Sequence, residues 1–156
     1  YAIAHHNLGF LLDDQGKLSE AEKEYREAIR INPDLAYAHG NLGILLKDQG
    51  KLSEAEKEYR EAIRINPDLA YAHNNLGVLL HDQGKLSEAE KEYREAIRIN
   101  PDLAGTHGVL GILLVMQGRN KEGREEISKA IELYVRQGNA DKAEALRAIL
   151  LNIPEE

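Results

Sequence analysis

One long segment occurs three times in this chain without a single change. The copies cover residues 14–36, 48–70 and 82–104, so their starting positions are evenly spaced along the chain. A fixed period of this length is typical of architectures that stack one supersecondary unit, because each unit buries its apolar face only against a neighbour. The repeat therefore predicts a stack of like units before any other property of the sequence is considered.

Each unit has the pattern of two helices. In the second unit a first helix is predicted over residues 36–49, and Gly50 ends it, as glycine commonly does at a helix C-terminus. A second helix is predicted over residues 52–65, and Pro67 stops it. The Ser53–Glu56 segment has the spacing of a capping box at the start of that helix.

Two helices in each unit, with a proline where one unit joins the next, resemble the tetratricopeptide repeat family. His39 and Leu46 depart from the family pattern, which prefers Trp and Tyr there. The resemblance extends from Ala2 to about Leu133, and it implies an all-α, right-handed superhelical solenoid of four helix-turn-helix hairpins plus a C-terminal capping helix. The residues that match the family pattern in the second unit are Leu42, Gly43, Ala55, Tyr59, Ala62 and Pro67.

We expect a single array over residues 1–156. The fourth unit is degenerate, since Gly123 replaces an alanine and no proline follows Leu133. A last helix is predicted to cover the open apolar face, as terminal repeats must. The chain opens at Tyr1 inside a repeat, which suggests a segment of a longer protein with an uncapped N-terminal face. The predicted repeats are 2–35, 36–69, 70–103 and 104–137, with a capping helix over 139–152.

The differences among the first three units fall on one stripe of the first helices. Their spacing of i, i+3, i+7 and i+10 places them on one side of a helix, away from the core. The family resemblance implies that this stripe faces the concave groove, where it would bind a peptide. The alternatives are drift at tolerant surface sites and a designed unit with an edited groove. The predicted peptide-binding residues of the stripe are Ile3, His6, Phe10, Tyr37, Gly40, Ile44, Lys47, Tyr71, Asn74, Val78 and His81.

Beside the stripe stands one asparagine per unit, at Asn7, Asn41 and Asn75. An amide offers both a donor and an acceptor, so such a row can pair with the backbone of an extended peptide. The row is similar to the asparagine ladder in the tetratricopeptide superhelix of the O-GlcNAc transferase family. The alternative is that these asparagines are common in the family and merely solvated. The row stops at Val109 in the fourth unit.

Composition and net charge limit the classes of partner that this chain can bind. The net charge is −7, which disfavours nucleic acid and anionic membranes, so the expected partner is a protein or peptide. The chain has no cysteine, which suits a reducing compartment, and we expect a cytoplasmic location. The groove lacks the lysine and arginine clamp of chaperone-binding family members, so a C-terminal carboxylate is not the expected ligand.

The sequence contains no recognisable motif for catalysis. There is no GxSxG and no P-loop, so no enzyme and no cofactor are expected. One histidine recurs in each unit, and these histidines are expected to lie too far from one another to share a metal ion. Their expected role is to pack where the family prefers tryptophan. The alternative function is a structural or designed consensus-like scaffold without natural ligand, which self-associates through its uncapped N-terminal face. The recurring histidines are His5, His39, His73 and His107.

Overall fold

The computed structural model describes residues 1–154, and within this range the chain folds into nine α-helices and no strand. The predicted all-α fold class is therefore confirmed. In the second repeat, the second helix has the predicted bounds, whereas the first helix ends one residue earlier than predicted. The helices are α1 (Ala2–Asp14), α2 (Leu18–Ile31), α3 (Ala36–Asp48), α4 (Leu52–Ile65), α5 (Ala70–Asp82), α6 (Leu86–Ile99), α7 (Ala104–Met116), α8 (Asn120–Arg136) and α9 (Ala140–Leu151).

The turn inside each hairpin depends on a glycine with left-handed backbone. Gly50 has φ +76°, a conformation that a residue with a Cβ rarely adopts. Its N–H bonds the carbonyl of Lys47 at 2.9 Å, and the N–H of Lys51 bonds the carbonyl of Leu46 at 2.8 Å. These bonds satisfy the last carbonyls of α3 and reverse the chain, so that α4 returns against α3.

The predicted capping box is wrong. Lys51 is the N-cap of α4, and no side chain bonds the free N–H groups there. The Lys51 carbonyl already accepts the first helical bond from Ala55 at 3.0 Å, so Ser53 lies inside the first turn rather than before it. Glu56 instead accepts a hydrogen bond from Arg60 at 2.8 Å on the helix surface.

Apart from its repeats, the chain divides into two larger compact units, and from here on "unit" means one of these two. The first unit covers Tyr1–Leu79, and the second begins at Leu80. In the first unit α1 packs on α2, α2 on α3 and α3 on α4. Its core contains two fully buried rings, Tyr25 and Tyr59. A Cβ at Gly43 would lie 2.7 Å from Cε1 of Tyr59, so this glycine makes room for the ring.

In the second unit α7 packs on α8 and α8 on α9. The core there joins Ile127 and Ile131 of α8 to Ala143 of α9 and to Ile153. Arg124 holds the end of α9, since its Nη1 donates to the Ile153 carbonyl at 2.5 Å. The assignment of α9 as a cap, and the division of the chain into repeats, stay predictions.

The first hairpin exposes apolar side chains that later helices bury. Leu8 and Leu11 of α1 are 43% and 52% exposed, whereas Leu42 and Leu45, which hold the same positions in α3, are each 1% exposed. The difference arises because α2 packs on α3, while α1 has no helix on that side in the described part of the chain. The open face of α1 therefore presents apolar side chains to solvent.

Candidate functional site

The predicted stripe carries large apolar side chains that reach solvent. Ile3, Phe10 and Tyr37 are 64%, 61% and 54% exposed. Further along the same helix faces Ile44 and Val78 are half-buried. Lys47 is half-buried as well. The stripe of the first unit is thus a mostly apolar surface, and apolar side chains in solvent favour association.

Two tyrosines join α3 to α5 on this surface. The rings of Tyr37 and Tyr71 are stacked, with centroids 6.1 Å apart and planes 15° from parallel. Tyr71 covers Gly40, where an added Cβ would overlap its hydroxyl. Gly40 is therefore buried, although the helix periodicity alone places it on the open face away from the core. The Tyr71 hydroxyl is itself buried without a hydrogen-bond partner among the described residues, and burial, with a smaller effect of Tyr37, raises its pKa to about 12.

The three asparagines are already engaged with neighbours. Nδ2 of Asn41 donates to Nε2 of His6 at 3.1 Å, and Nδ1 of His6 donates to Oδ1 of Asn7 at 3.3 Å. His6 therefore links the asparagines of α1 and α3. In α5, Oδ1 of Asn75 accepts from Nδ2 of Asn74 at 3.4 Å. Asn7 is exposed while the other two asparagines are half-buried, and their pairing with a peptide backbone stays a prediction.

Carboxylates gather at the C-terminal ends of α1 and α3. The pKa of Asp13 is raised, first by burial and then by the negative charges of Asp48 and Asp14. A raised pKa means that the ionised form is disfavoured in the absence of a cation. A cation beside these carboxylates would offset the repulsion among their charges.

His81 belongs to the second compact unit, which begins at Leu80. Its ring lies edge-on against the buried ring of Tyr93, with centroids 6.5 Å apart and planes at 79°. His81 thus packs on α6 as well as reaching solvent.

Sequence reasoning missed a set of buried histidine–glutamate pairs. Nδ1 of His39 lies 2.6 Å from Oε2 of Glu58, and its Nε2 lies 3.0 Å from the carbonyl oxygen of Pro33. His107 makes the same 2.6 Å contact with Glu126. Because both ring nitrogens face acceptors, the doubly protonated ring fits best. Burial opposes the charge, but the hydrogen bonds to the glutamate and to the proline carbonyl outweigh it and raise the pKa of both histidines. A constant spacing of 19 residues between histidine and glutamate was the available signal.

Two other kinds of site are absent from the part of the chain that the structure covers. No group of three or more His, Cys, Asp or Glu side chains there is arranged to hold a metal ion. Among the same residues, no helix combines the length and the apolar character needed to cross a bilayer.

Two family models match the sequence. The model described as TPR repeat matches residues 12–50 and 45–84. The model described as tetratricopeptide repeat matches residues 70–103. Together the matches run from residue 12 to residue 103, which is more than half of the chain. No curated protein matches the sequence.

Solved structures share the fold at low sequence identity. MamA from Desulfovibrio magneticus RS-1 is 18% identical with a TM-score of 0.76, and the match covers 96% of this chain and 93% of that one. PilF of Pseudomonas aeruginosa is 21% identical with a TM-score of 0.75, over 96% of this chain and 75% of that one. The first TPR of Spaghetti (RPAP3), bound to an HSP90 peptide, is 21% identical with a TM-score of 0.72, over 75% and 93%. At these identities the likeness shows the fold alone.

Proposed function

The chain belongs to the tetratricopeptide repeat family, whose repeats serve as protein-interaction modules, and we propose that it binds an extended peptide along the stripe of α1, α3 and α5. The observation that carries the proposal is the exposure of Ile3, Phe10 and Tyr37 on the one surface where the first three repeats differ. Those side chains gain most from being covered, because burial of apolar area drives association.

Asn7, Asn41 and Asn75 hold the backbone of the peptide in this proposal. Each amide can offer one donor and one acceptor, which is what an extended backbone requires. The hydrogen bond that His6 donates to Asn7 and the one that it accepts from Asn41 orient two of these amides before a peptide arrives, which lowers the entropy lost on binding. Stripe residues then contact the side chains of the peptide.

The preferred peptide is apolar with neutral or basic flanks. The net charge of −7 and the carboxylates around Asp13 repel an acidic chain. In the Spaghetti structure the bound HSP90 peptide, SRMEEVD, is rich in acidic residues. Lys47 is the one lysine or arginine in the predicted stripe, so we do not assign that kind of peptide to this surface.

The same reasoning extends to what the chain does not do. We assign it no catalytic role, no cofactor and no metal, because the sequence contains neither a GxSxG motif nor a P-loop. Nucleic acid and anionic membranes are poor partners for a chain of net charge −7.

The proposal is tested with a random peptide library and two variants. One variant carries Asn7→Ala, Asn41→Ala and Asn75→Ala, and the other carries Ile3→Ser and Phe10→Ser. Peptides selected on the parent should lose affinity for both variants. Both sets change exposed or half-buried side chains, so circular dichroism should show folded proteins.

A matched control is Asn152→Ala, which removes an asparagine at the end of α9, far along the chain from the stripe. It should bind the selected peptides as the parent does. If only the serine variant loses affinity for the peptides, the asparagine ladder is contradicted and binding by the apolar surface is supported. Undiminished binding by both variants would contradict the proposal.

A second candidate is a scaffold that self-associates through the open face of α1. The exposure of Leu8 and Leu11 favours this candidate, because the leucines at the same positions in α3 are buried. Sedimentation equilibrium should then show a mass that rises with concentration, and Leu8→Lys with Leu11→Lys should abolish the rise. A constant monomer mass for the parent would exclude this candidate.

A further inference from the structure

The fourth hairpin lacks the bulky side chains of the stripe. Gly105 and Gly108 stand in α7 at the positions that Tyr71 and Asn74 hold in α5 of the preceding hairpin. Two glycines on one side of a helix leave that side open unless a neighbouring side chain fills the space. Glycine is a poorer helix former than alanine, so helix stability does not explain either residue.

An open pocket of about 250 Å³ occupies this place. It lies within the second unit, between α7, the end of α8 and the first turns of α9. Its wall is apolar apart from a single charged side chain. The lining residues are Gly105, Gly108, Val109, Ile112, Tyr134, Ala145 and Leu146, with Lys142 as the charged one.

The packing of the helices does not require a glycine at position 108. A Cβ on Gly108 would lie 3.4 Å from Cδ1 of Leu146 and 3.7 Å from Cβ of Ala130, which are ordinary contact distances. Gly40 differs, because there the ring of Tyr71 fills the space that the glycine leaves. The space at Gly108 therefore remains part of the pocket.

A cation stands beside this apolar pocket. Nζ of Lys142 lies 5.6 Å from the centroid of the Tyr134 ring, so a cation–π contact holds the ammonium group near the pocket. Within the described residues no carboxylate forms an ion pair with Lys142, whereas Lys129 and Arg147 in the same two helices each have one. The pocket and its charge together complement a group that is apolar and anionic.

We propose that this pocket binds a peptide that presents a large aliphatic side chain next to a carboxylate. The volume is below the range of pockets for drug-sized ligands and suits a single side chain. The aliphatic group would contact Val109, Ile112 and Leu146, and the carboxylate would pair with Lys142. All of its lining residues belong to the second compact unit, so this proposal does not rest on the stripe of the first compact unit.

Three short fluorescein-labelled peptides serve as probes. They consist of glycine, serine and asparagine around a central Leu-Glu, Leu-Lys or Ala-Glu pair. The Leu-Glu peptide should bind the full chain best by fluorescence anisotropy. The Ala-Glu peptide should bind about tenfold more weakly, because it loses most of the buried leucine side chain. The Leu-Lys peptide should bind roughly fivefold more weakly, since it loses an exposed ion pair and places a cation near Lys142.

Variants locate the site. Ala145→Leu fills the pocket from its exposed rim with a good helix former, and it should remove the preference for leucine over alanine. Lys142→Glu should make Leu-Lys the better ligand. Lys121→Glu on α8 changes the net charge equally and should leave the affinities within about twofold. Amide resonances of Val109 and Ala145 should shift as the Leu-Glu peptide is added.

Several results would overturn the proposal. They are no binding of the Leu-Glu peptide, binding that Ala145→Leu leaves unchanged, and binding without shifts at Val109 and Ala145. If Ala145→Leu is misfolded by circular dichroism, Gly108→Ala is the substitute, because its Cβ meets only ordinary contacts. The asparagine-to-alanine triple variant of the stripe should bind this probe unchanged, so failure at one site is distinguished from failure at the other.

Discussion

Replacing Gly43 with alanine should destabilise the chain, although alanine is the better helix former. Gly43 lies inside α3, and a Cβ there would lie 2.7 Å from Cε1 and 2.8 Å from Cδ1 of Tyr59. Tyr59 is fully buried, so its ring cannot move into solvent. The substitution therefore forces either the ring or the two helices apart.

The expected magnitude follows from two opposing terms. An alanine in place of glycine in a helix interior stabilises by about 1 kcal/mol. Overpacking a filled core costs about 1–3 kcal/mol, and the contact of one Cβ with several ring atoms of an immobile tyrosine places this case in the upper part of that range. The net loss in the free energy of unfolding should be about 1–2 kcal/mol.

Urea denaturation followed by far-UV circular dichroism measures this change, because the chain has no tryptophan to report by fluorescence. Gly108→Ala is the matched control, since its Cβ would meet Leu146 at 3.4 Å, and it should stabilise by up to about 1 kcal/mol. Gly9→Ala should behave as Gly43→Ala does, because its Cβ would lie 2.8 Å from Cδ1 of Tyr25. The reasoning is refuted if Gly43→Ala and Gly108→Ala shift the midpoint equally in the same direction.

Three further predictions concern stability. The free energy of unfolding should fall as pH rises through the raised pKa of His39 and His107, because their stabilisation is complete below the ordinary value of 6.5 and is lost above the folded one. Denaturation at a series of pH values measures this, and a His39→Gln variant with the parent's pH profile would argue against it. Leu42→Ala should cost about 2–5 kcal/mol and Leu8→Ala less than about 1, because only the former is buried; equal losses by denaturation would show that α1 is covered in solution. Tyr71→Phe should raise the free energy of unfolding by about 1 kcal/mol, because a buried hydroxyl without a partner among the described residues has lost its bonds to water, and a loss of stability would reveal a partner.

The helices could be predicted from local signals. Gly50 and Pro67 end their helices for reasons that belong to single residues, and α4 has the predicted bounds. In the same way, α8 continues to Arg136 because its sequence lacks the proline that follows the second helix of the other repeats. The cap of α4 was misjudged because Ser53 is a residue type that favours the N-cap position, whereas the preceding turn makes Lys51 the N-cap.

The candidate site was less accessible to sequence reasoning. A helical stripe can be recognised from positions that differ, but whether a neighbour covers one of them depends on tertiary contacts. Tyr71 reaches Gly40 from another hairpin, and no periodicity within α3 reveals this. The pairing of His39 with Glu58 crosses a hairpin, so it requires the register of two helices. The pocket beside Lys142 requires the position of α9.

Helices α2, α4 and α6 have the same sequence of 14 residues and bury the same alanines and tyrosine. An unfolded chain therefore holds three interchangeable segments, and a hairpin from a second molecule offers α3 the same surface as its own α2. Local hairpin contacts form quickly, but the choice among equal neighbours is decided by proximity along the chain and not by energy. Refolding at high concentration should thus yield exchanged dimers, while the unlike sequences of α7 and α8 fix where the stack of equal segments ends.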